Sequence, residues 1–513
     1  MILRTVPLFY PPYKLKNFLI VLQFLLCVIF QNQVLAKDNI DRLKKIKALL
    51  VTKDFTKPET FEMNSGGAGT VYKTLNRNSF SHNASNIKFE KLINFHIGNG
   101  IFRRIWVSSP ASTKSADGLG PLFNARSCQN CHLKDGRGHT PSANWPIDDS
   151  ISFVLRLSIP PQNHKQKILI EERKILFIEE PSYGQQLQDL SIQGFDAEGI
   201  INFEYEKVKI KFEDGKTVNL RKPKYTIKNW NYGNPKKDLM LSPRIAQQMI
   251  GLGLLESIDE NDIISNADPN DKDNDGISGR PNFVWNKLQK KITLGRFGWK
   301  AGQPNLMQQS AEAFKVDIGI SSFLNQEAWG DCSVGQELCR KAPNGNTIDQ
   351  GNSEISREAM DKLVFYVRNL GVPARRNVNN KDVLLGKKIF YESGCIGCHT
   401  PKFVTSRIPD QPENSFQLIW PYTDLLLHDM GDGLADNRPE GDADGREWRT
   451  APLWGIGLTE TVSGHTEFLH DGRARNLLEA ILWHGGEAEN SKNKIMKLNK
   501  KQREALLKFL NSL

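Results

Sequence analysis

The sequence predicts a mainly α protein of two similar halves, the first of them enlarged by a β-rich insertion. Three observations support this prediction. The pattern Gly-x-x-Ile-Phe occurs at 98–102 and again at 386–390, and each copy is followed by Cys-x-x-Cys-His, at 128–132 and at 395–399. Each half then ends in a segment with apolar residues at helical spacing. Between the first motif and its closing segment, several runs alternate apolar and polar residues, which is typical of strands.

The two closing segments carry a clear helical signal. The first begins at Arg357 and the second at Arg503, and in both the apolar residues recur at the spacing of one helix face. The residues of these two faces are Met360, Leu363, Val364 and Val367, and Leu506, Phe509, Leu510 and Leu513. We therefore expect each half to close with an amphipathic helix.

The pattern Cys-x-x-Cys-His has a mechanical meaning. Two thiols three residues apart on one helical turn can add across the two vinyl groups of haem, and the adjacent histidine then points at the iron as its proximal ligand. Paired cysteines also suit a four-sulfur zinc site, but zinc does not require the histidine in both copies. We expect two covalently bound haems c, on Cys128, Cys131, His132, Cys395, Cys398 and His399. Helix, anchor and closing helix then describe a cytochrome c-like domain, present twice.

The sixth ligand of each iron decides what a haem can do. An iron with both axial positions filled passes electrons, whereas an open or labile position can meet peroxide or oxygen. For the second haem we expect His484, because Leu478, Ile481 and Leu482 give its helix an apolar stripe and two glycines follow it. Met430 is the second choice.

The first haem has a poorer signal. His139 lies seven residues after His132, and it is either a ligand or an exposed loop residue. An open or labile position is equally compatible with the sequence.

The β-rich insertion is placed at 151–235. Its runs alternate apolar and polar residues, and Asp214-Gly215 is a hairpin turn signal between two of them. The first haem domain is then formed by 37–150 and 236–371, and the second by 372–513.

An acidic loop follows the insertion, in "DPNDKDNDGISGRPN". Carboxylates at alternate positions before a glycine suit a hard cation such as Ca²⁺. Asp271, Asp273 and Asp275 are the candidate ligands, although Asn282 stands where an EF-hand has its bidentate glutamate. A solvated acidic turn is the alternative to a calcium site.

The first 36 residues predict a signal peptide. Basic residues precede an apolar run at 18–30, and small residues up to Ala36 suit a signal peptidase. An uncleaved anchor is the alternative, although about 13 residues is short for a span of roughly 20. We expect a periplasmic protein, and in that oxidising compartment Cys332 and Cys339 are expected to form a disulfide.

The formal net charge is +10, spread over 513 residues and partly located in the predicted signal. Such a distribution indicates a solvated surface and excludes a nucleic-acid-binding footprint.

Several segments together resemble the bacterial di-haem oxidoreductase family, some members of which are labelled thiol oxidoreductases. The resemblance covers about 60–510 and is carried by "DGLGPLFNARSCQNCHLKDGRG", "LSPRIAQQMIGLGLLESI", "DNDGISGRPN", "LGRFGWKAGQPNLMQQSAEAF", "GCIGCHTPKF", "REWRTAPLWGIGL" and "FLHDGRARNLLEAILWHGGEA". This family looks related to di-haem cytochrome c peroxidases and to the di-haem enzyme that matures methylamine dehydrogenase. The resemblance implies peroxide chemistry at the N-terminal haem and electron relay at the C-terminal haem.

The resemblance also suggests roles for single residues. In the peroxidases the relay haem takes a methionine from the helix after an "HDG" segment, and this chain has His484 at that point, which suggests a bis-histidine haem. The segment "GRFGWKAGQPNLMQQSAEAFKVDIG" is similar to one that carries a distal glutamine, a catalytic acid and an aromatic between the haems. By this similarity the candidates are Gln309, Glu312 or Asp317, and Phe297 or Trp299.

The leading functional hypothesis is a peroxidase-like oxidoreductase. Its partners would be a small redox protein or a quinol-linked electron donor, and a small oxidant such as peroxide. A non-catalytic di-haem electron carrier is the alternative. A modifier of a protein substrate by long-range oxidation is a third reading, suggested by the maturation-enzyme relative.

Overall fold

The computed structural model describes residues 45–46, 48–141 and 152–513. Contacts between residues divide the chain into two units, Met1–Lys53 and Asp54–Leu513. Residues 45–46 and 48–50 of the first unit are helical. The second unit contains both Cys-x-x-Cys-His motifs. The predicted signal peptide lies outside the described residues, and none of the described helices is both long and apolar enough to cross a membrane.

The prediction of a mainly α protein is wrong. Helix accounts for 29% of the residues and strand for 17%, the latter in several small sheets. The reason is that, in the described part of the chain, long helices occur only in the two helix pairs that pack beside the Cys-x-x-Cys-His motifs. The segments between them fold as loops, short turns and two-stranded antiparallel ribbons.

The helices of four residues or more are mostly short. In chain order they are Leu92–Arg103, Cys128–Cys131, His164–Glu171, Leu252–Glu256, Glu260–Ile264, Leu306–Ala313, the π-helix Phe314–Ile318, Glu337–Arg340, Arg357–Arg368, Lys381–Glu392, Thr459–Ser463, Leu477–Trp483, Glu489–Met496 and Lys500–Ser512. Asparagine or serine side chains accept the first free amides of several of them, as Ser356 does for Ala359.

All six described sheets are two-stranded and antiparallel. The pairs are Leu122–Phe123 with Leu190–Ser191, Phe153–Ser158 with Met240–Ile245, Ile200–Lys211 with Thr217–Lys228, Phe283–Asn286 with Lys291–Leu294, Phe403–Val404 with Leu418–Ile419, and Leu427–Asp429 with Glu447–Arg449. The predicted hairpin at Asp214-Gly215 is confirmed, because it joins the two longest strands. The strand Phe153–Ser158 lies inside the predicted insertion, but its partner Met240–Ile245 lies beyond the predicted end of the insertion at 235.

The repeated glycines lie where helices cross. We call Leu92–Arg103 and Lys381–Glu392 the opening helices, and Arg357–Arg368 and Lys500–Ser512 the closing helices. A Cβ on Gly98 would collide with the backbone of Lys362, on the first closing helix. A Cβ on Gly386 would collide with the backbone of Ala505, on the second. Each glycine therefore lets an opening helix lie directly on its closing helix.

The repeated phenylalanines connect these helix pairs to the two anchors. The ring of Phe102 lies 6.3 Å from that of His132, and the ring of Phe390 lies 6.2 Å from that of His399. On the closing helices, the ring centroid of Tyr366 lies 5.4 Å from that of Phe102, and the ring centroid of Phe509 lies 5.2 Å from that of Phe390. The apolar faces predicted for both closing helices are buried. The sequence repeat thus corresponds to one arrangement built twice.

The predicted disulfide is confirmed, since Cys332 and Cys339 are bonded to each other. Leu122 packs against this bridge in a small cluster of its own. The four cysteines of the two motifs take no part in it.

Candidate functional site

The first Cys-x-x-Cys-His motif lines a cavity of about 1040 Å³. The helix Cys128–Cys131 begins after Ser127, whose hydroxyl accepts the Asn130 amide at 3.2 Å. One turn later the chain leaves the helix at His132. This places both sulfurs and the imidazole in the lining of one cavity. Burial raises the pKa of the Cys128 thiol to about 12.

The His132 ring is fixed by its backbone partner. Its Nδ1–H donates to the carbonyl oxygen of Gln247 at 2.7 Å. Burial lowers the pKa of His132, so the ring is neutral and its Nε2 keeps a lone pair. This is the arrangement that orients metal-ligating histidines. Among the described residues that line this cavity, His132 is the one histidine.

The second motif lines a smaller cavity, of about 190 Å³. Gly394, in the left-handed region at φ 89°, begins the turn Cys395–Gly397, and Cys398 and His399 follow. The Nδ1–H of His399 donates to the Tyr422 carbonyl at 2.9 Å. Burial lowers the pKa of His399 to about 4. This anchor is therefore held in the same way as the first.

His484 faces His399 in this cavity. It follows the helix Leu477–Trp483, as predicted, and its Nδ1–H donates to the Ala480 carbonyl at 2.7 Å. The two ring centroids are 6.5 Å apart. An iron held at ~2 Å from each of two imidazole nitrogens separates the ring centroids by roughly 6 Å. The pair therefore has the spacing of two axial ligands of one iron.

The other ligand candidates are less well placed. His428 is held on both nitrogens, by Asp424 at 2.8 Å and by Glu487 at 2.6 Å. His465 is also engaged on both nitrogens and does not line the cavity. Met430 also lines the second cavity, but the ring of His484 is the one that lies 6.5 Å from that of His399, at the spacing of two imidazoles on one metal ion.

His470 lines the second cavity and resembles a ligand in one respect. Its Nδ1–H donates to the Pro243 carbonyl at 2.9 Å, and its buried Nε2 has no hydrogen-bond partner. Its ring is stacked on Trp448, with the centroids 3.9 Å apart. Beside the first motif, His139 lies outside the lining of the first cavity.

The residues suggested by the peroxidase resemblance come together in the first cavity. Gln309 and Glu312 lie on the helix Leu306–Ala313, and Asp317 lies on the π-helix that follows it. All three line the cavity that contains His132. Their catalytic roles stay predictions.

The two carboxyl groups have opposite electrostatics. Burial alone would raise the pKa of Glu312, but Lys287, Lys315 and Arg156 outweigh it and hold this pKa below its usual range. The pKa of Asp317 is raised instead. Burial, which favours the neutral carboxyl group, outweighs the charge of Arg156 and a 2.8 Å hydrogen bond from Gln186, which both favour the ionised form. Glu312 is thus the ionised carboxylate of the pair, and Asp317 is the group that more readily keeps a proton.

Four described residues line both cavities, and we call them the partition: Arg137, Trp299, Arg449 and Ala451. Of the two aromatics suggested for a place between the haems, Trp299 belongs to the partition and Phe297 lines the first cavity. The indole N–H of Trp299 donates to the Ile245 carbonyl at 2.9 Å, which fixes its orientation. Sequence reasoning missed Arg137, because nothing in its local pattern marks it.

The acidic loop brings its carboxylates together. Oxygens of Asp271, Asp273 and Asp275 lie within 4.8 Å of one another. Gly276, at φ 84°, makes the turn, and its amide donates to Asp271 at 3.1 Å. Asn282 is buried and its amide donates to the Lys300 carbonyl, so it is not positioned as a further ligand. Calcium binding stays a prediction.

The donor atoms in both cavities fit a haem, with two thiols and an oriented neutral imidazole in each. The volumes differ, however. The first cavity is of the size usual for large ligands, whereas the second lies below the range of about 300–1,000 Å³.

Comparison with known proteins identifies a family. The sequence profile described as "Di-haem oxidoreductase, putative peroxidase" matches residues 60–513. The comparison with curated proteins gave no match. Among solved structures, hydrazine synthase of Kuenenia stuttgartiensis pressurised with 20 bar xenon is similar at 13% identity, over 69% of this chain and 90% of that chain, with a TM-score of 0.24.

Proposed function

The chain belongs to the di-haem oxidoreductase family, and we propose that it is a periplasmic c-type enzyme that reduces peroxide or another small oxidant. The observation that carries this proposal is the difference between the two cavities. The second contains a facing pair of imidazoles, His399 and His484, whereas the described lining of the first contains His132 and no second histidine.

This difference supports a division of labour. An iron with two strong axial ligands exchanges electrons without binding substrate, and an iron with one protein ligand keeps a position for an oxidant. A bound haem would supply the one-electron chemistry in each cavity. In the proposal, electrons enter at the second cavity and pass to the first, where the oxidant is reduced.

The chain's own residues handle the protons. Peroxide reduction requires a proton to be moved between its two oxygens, and an ionised carboxylate can accept it while a neutral carboxyl can donate it. Glu312 has the electrostatics of the acceptor and Asp317 those of the donor. Gln309, on the same helix as Glu312, provides an amide for orienting the oxidant.

The partition provides a route between the cavities. Trp299 lines both cavities, and its hydrogen bond to the Ile245 carbonyl holds its ring in place, so this ring would be available to two haems bound on either side. Its aromatic ring supports electron transfer across the partition without a diffusing carrier. A small redox protein or a quinol-linked donor would supply the electrons.

Covalent attachment and export support each other in this proposal. Cys128, Cys131, Cys395 and Cys398 lie in the same two motifs as the proposed proximal histidines, and none of them belongs to the Cys332–Cys339 disulfide. The bond between Cys332 and Cys339 suits an oxidising compartment such as the periplasm. Calcium in the loop at Asp271, Asp273 and Asp275 is part of the proposal as a structural cation.

The test uses the purified holoprotein with a reduced electron donor and hydrogen peroxide. Turnover is expected, together with a low-spin bis-histidine signal for one haem and a displaceable ligand at the other in low-temperature EPR. Absence of turnover in every redox state, with both irons six-coordinate throughout, would contradict the proposal. That result would identify an electron carrier instead.

A further inference from the structure

Arg137 is a buried cation in the partition. It is 6% exposed, and its guanidinium carbon lies 5.8 Å from the ring centroids of both Trp299 and Phe468. Its Nε and Nη1 are buried and have no hydrogen-bond partner. The backbone on either side is fixed, since the Arg137 amide donates to Ser463 at 3.1 Å and its carbonyl accepts from His465 at 3.0 Å.

Other buried cations of the described chain have oxygen partners. Lys300 pairs with Asp436 at 2.8 Å and Arg244 with Glu440 at 2.7 Å. Arg449, also in the partition, donates to two carbonyls and to the Gln247 side chain. Arg137 has no ion pair with any described carboxylate, and its aromatic neighbours satisfy its charge only in part.

A buried guanidinium without a partner is unfavourable unless an anion completes its environment. Burial lowers the pKa of Arg137 to about 10, so the side chain remains cationic at neutral pH. Its planar fork of N–H groups matches a carboxylate, to which it can donate two parallel hydrogen bonds. The unpartnered Nε and Nη1 atoms therefore suit an anion that enters one of the two cavities, and a carboxylate has the matching two-pronged geometry.

We propose that Arg137 binds a propionate carboxylate of a haem in the partition between the two cavities. Each haem carries two propionates, and a haem bound in either cavity would have Arg137 in its lining. The inference rests on the proposed function only in requiring that haem is bound. It assigns Arg137 the role of a positioning residue that also fixes the potential of the haem it contacts.

The first experiment is an EPR-monitored redox titration of the holoprotein and of Arg137→Gln. A positive charge beside a propionate favours the reduced iron, which carries one positive charge fewer. Its removal is expected to shift the oxidised-to-reduced ratio of one haem about tenfold toward the oxidised form, which is about 59 mV for a one-electron couple. The haem whose signal shifts is the source of the propionate.

The control is Arg126→Gln, which removes the same charge from an exposed side chain near the first motif. Equal shifts in the two variants, or no shift at either haem, would overturn the proposal. A wild-type potential that depends on chloride concentration, with this dependence lost in Arg137→Gln, would identify a solvent anion and would also overturn it. Peroxide turnover plays no part in these readouts, so a failure of the proposed activity remains distinguishable.

A second variant covers the case in which Arg137→Gln does not accumulate. Arg137→Lys keeps the charge but loses the two-pronged hydrogen bonding. Its resonance Raman spectrum is expected to show a changed propionate bending band with normal haem content. An unchanged band in Arg137→Lys would overturn the proposal on its own.

Discussion

His399 and His484 face each other in the second cavity with their ring centroids 6.5 Å apart. They come from different parts of the chain, one from an anchor motif and one from the end of a helix. Each has its Nδ1–H on a backbone carbonyl, at Tyr422 and at Ala480. The two Nε2 atoms are therefore oriented by the protein fold itself, and the proposed bis-histidine haem depends on this pair.

Replacing His484 should leave the iron of the second haem with an open axial position. In His484→Ala we expect loss of its low-spin bis-histidine EPR signal and gain of a position that binds added imidazole or cyanide. The control is His96→Ala, which removes an exposed imidazole that lines neither cavity. A second haem with unchanged spectra in His484→Ala would show that another residue, with Met430 the first alternative, supplies the ligand.

Replacing the two carboxyl groups of the first cavity should lower peroxide turnover. For Glu312→Gln and Asp317→Asn we expect losses of about 10²–10⁴-fold, the usual contribution of general acid–base groups. Haem content and both EPR signals should stay as in the wild type. Glu327→Gln is the control, since Glu327 is exposed at the same cavity. Wild-type turnover in both variants would remove these residues from the chemistry.

The same two groups make a prediction for pH. The pKa of Asp317 is raised, so its proton is present at low pH and is lost as pH rises through that value. The pKa of Glu312 is lowered, so it stays ionised down to acid pH. Turnover should therefore fall on the alkaline side through Asp317, and Asp317→Asn should lose this limb while Glu312→Gln keeps it at a lower rate. A limb retained in Asp317→Asn would assign it to another group.

Short motifs carry most of the site that the sequence predicts. His132 and His399 follow cysteines whose spacing indicates the cofactor, and His484 ends a helix that its apolar residues and glycines predict. The place of Arg137 between the cavities could not be predicted, because both cavities are formed by segments that are distant in the sequence. The same holds for the contrast between Glu312 and Asp317, which depends on cations that only the folded chain brings near them.

The fold class could not be obtained in the same way. The opening and closing helices have clear periodicity, and the hairpin at Asp214-Gly215 has both alternation and a turn. Strands as short as Leu427–Asp429 show no measurable period, and the partner of Phe153–Ser158 lies on the far side of the whole insertion. Helical signals were thus strong where they occurred, and the many short strands and loops between them left no comparable signal.

Glu354 should make stability depend on pH. Burial, and then the charge of Asp117, raise its pKa to about 8 from an ordinary 4.5, although the backbone amides of Gly118 and Asp117 act in the opposite direction. The folded protein therefore holds a proton there that the unfolded chain loses above about pH 4.5. This contribution to stability is fully present below that pH, and it is lost as pH rises through about 8.

The measurement is the unfolding temperature as a function of pH. One proton contributes at most about 1.4 kcal/mol per pH unit to the free energy of unfolding. Glu354→Gln should flatten the decline with rising pH and be relatively more stable at alkaline pH. Glu358→Gln, at an exposed position nearby, should follow the wild type. Parallel curves for Glu354→Gln and wild type would mean that Glu354 ionises normally.

The opening helix of the first half offers a matched test of the repeated crossing. Gly98 and Gly100 lie two residues apart on Leu92–Arg103, but a Cβ on Gly98 would meet the Lys362 backbone whereas a Cβ on Gly100 has nothing within 4 Å. Overpacking costs about 1–3 kcal/mol, and alanine is favoured over glycine in a helix by about 1 kcal/mol. Gly98→Ala should therefore lower the free energy of unfolding and Gly100→Ala should raise it, as measured by denaturant titration.

Because Gly386 occupies the equivalent crossing against Ala505, Gly386→Ala should behave like Gly98→Ala. If all three variants were equally stable, close helix contact would not be what the two Gly-x-x-Ile-Phe segments have in common.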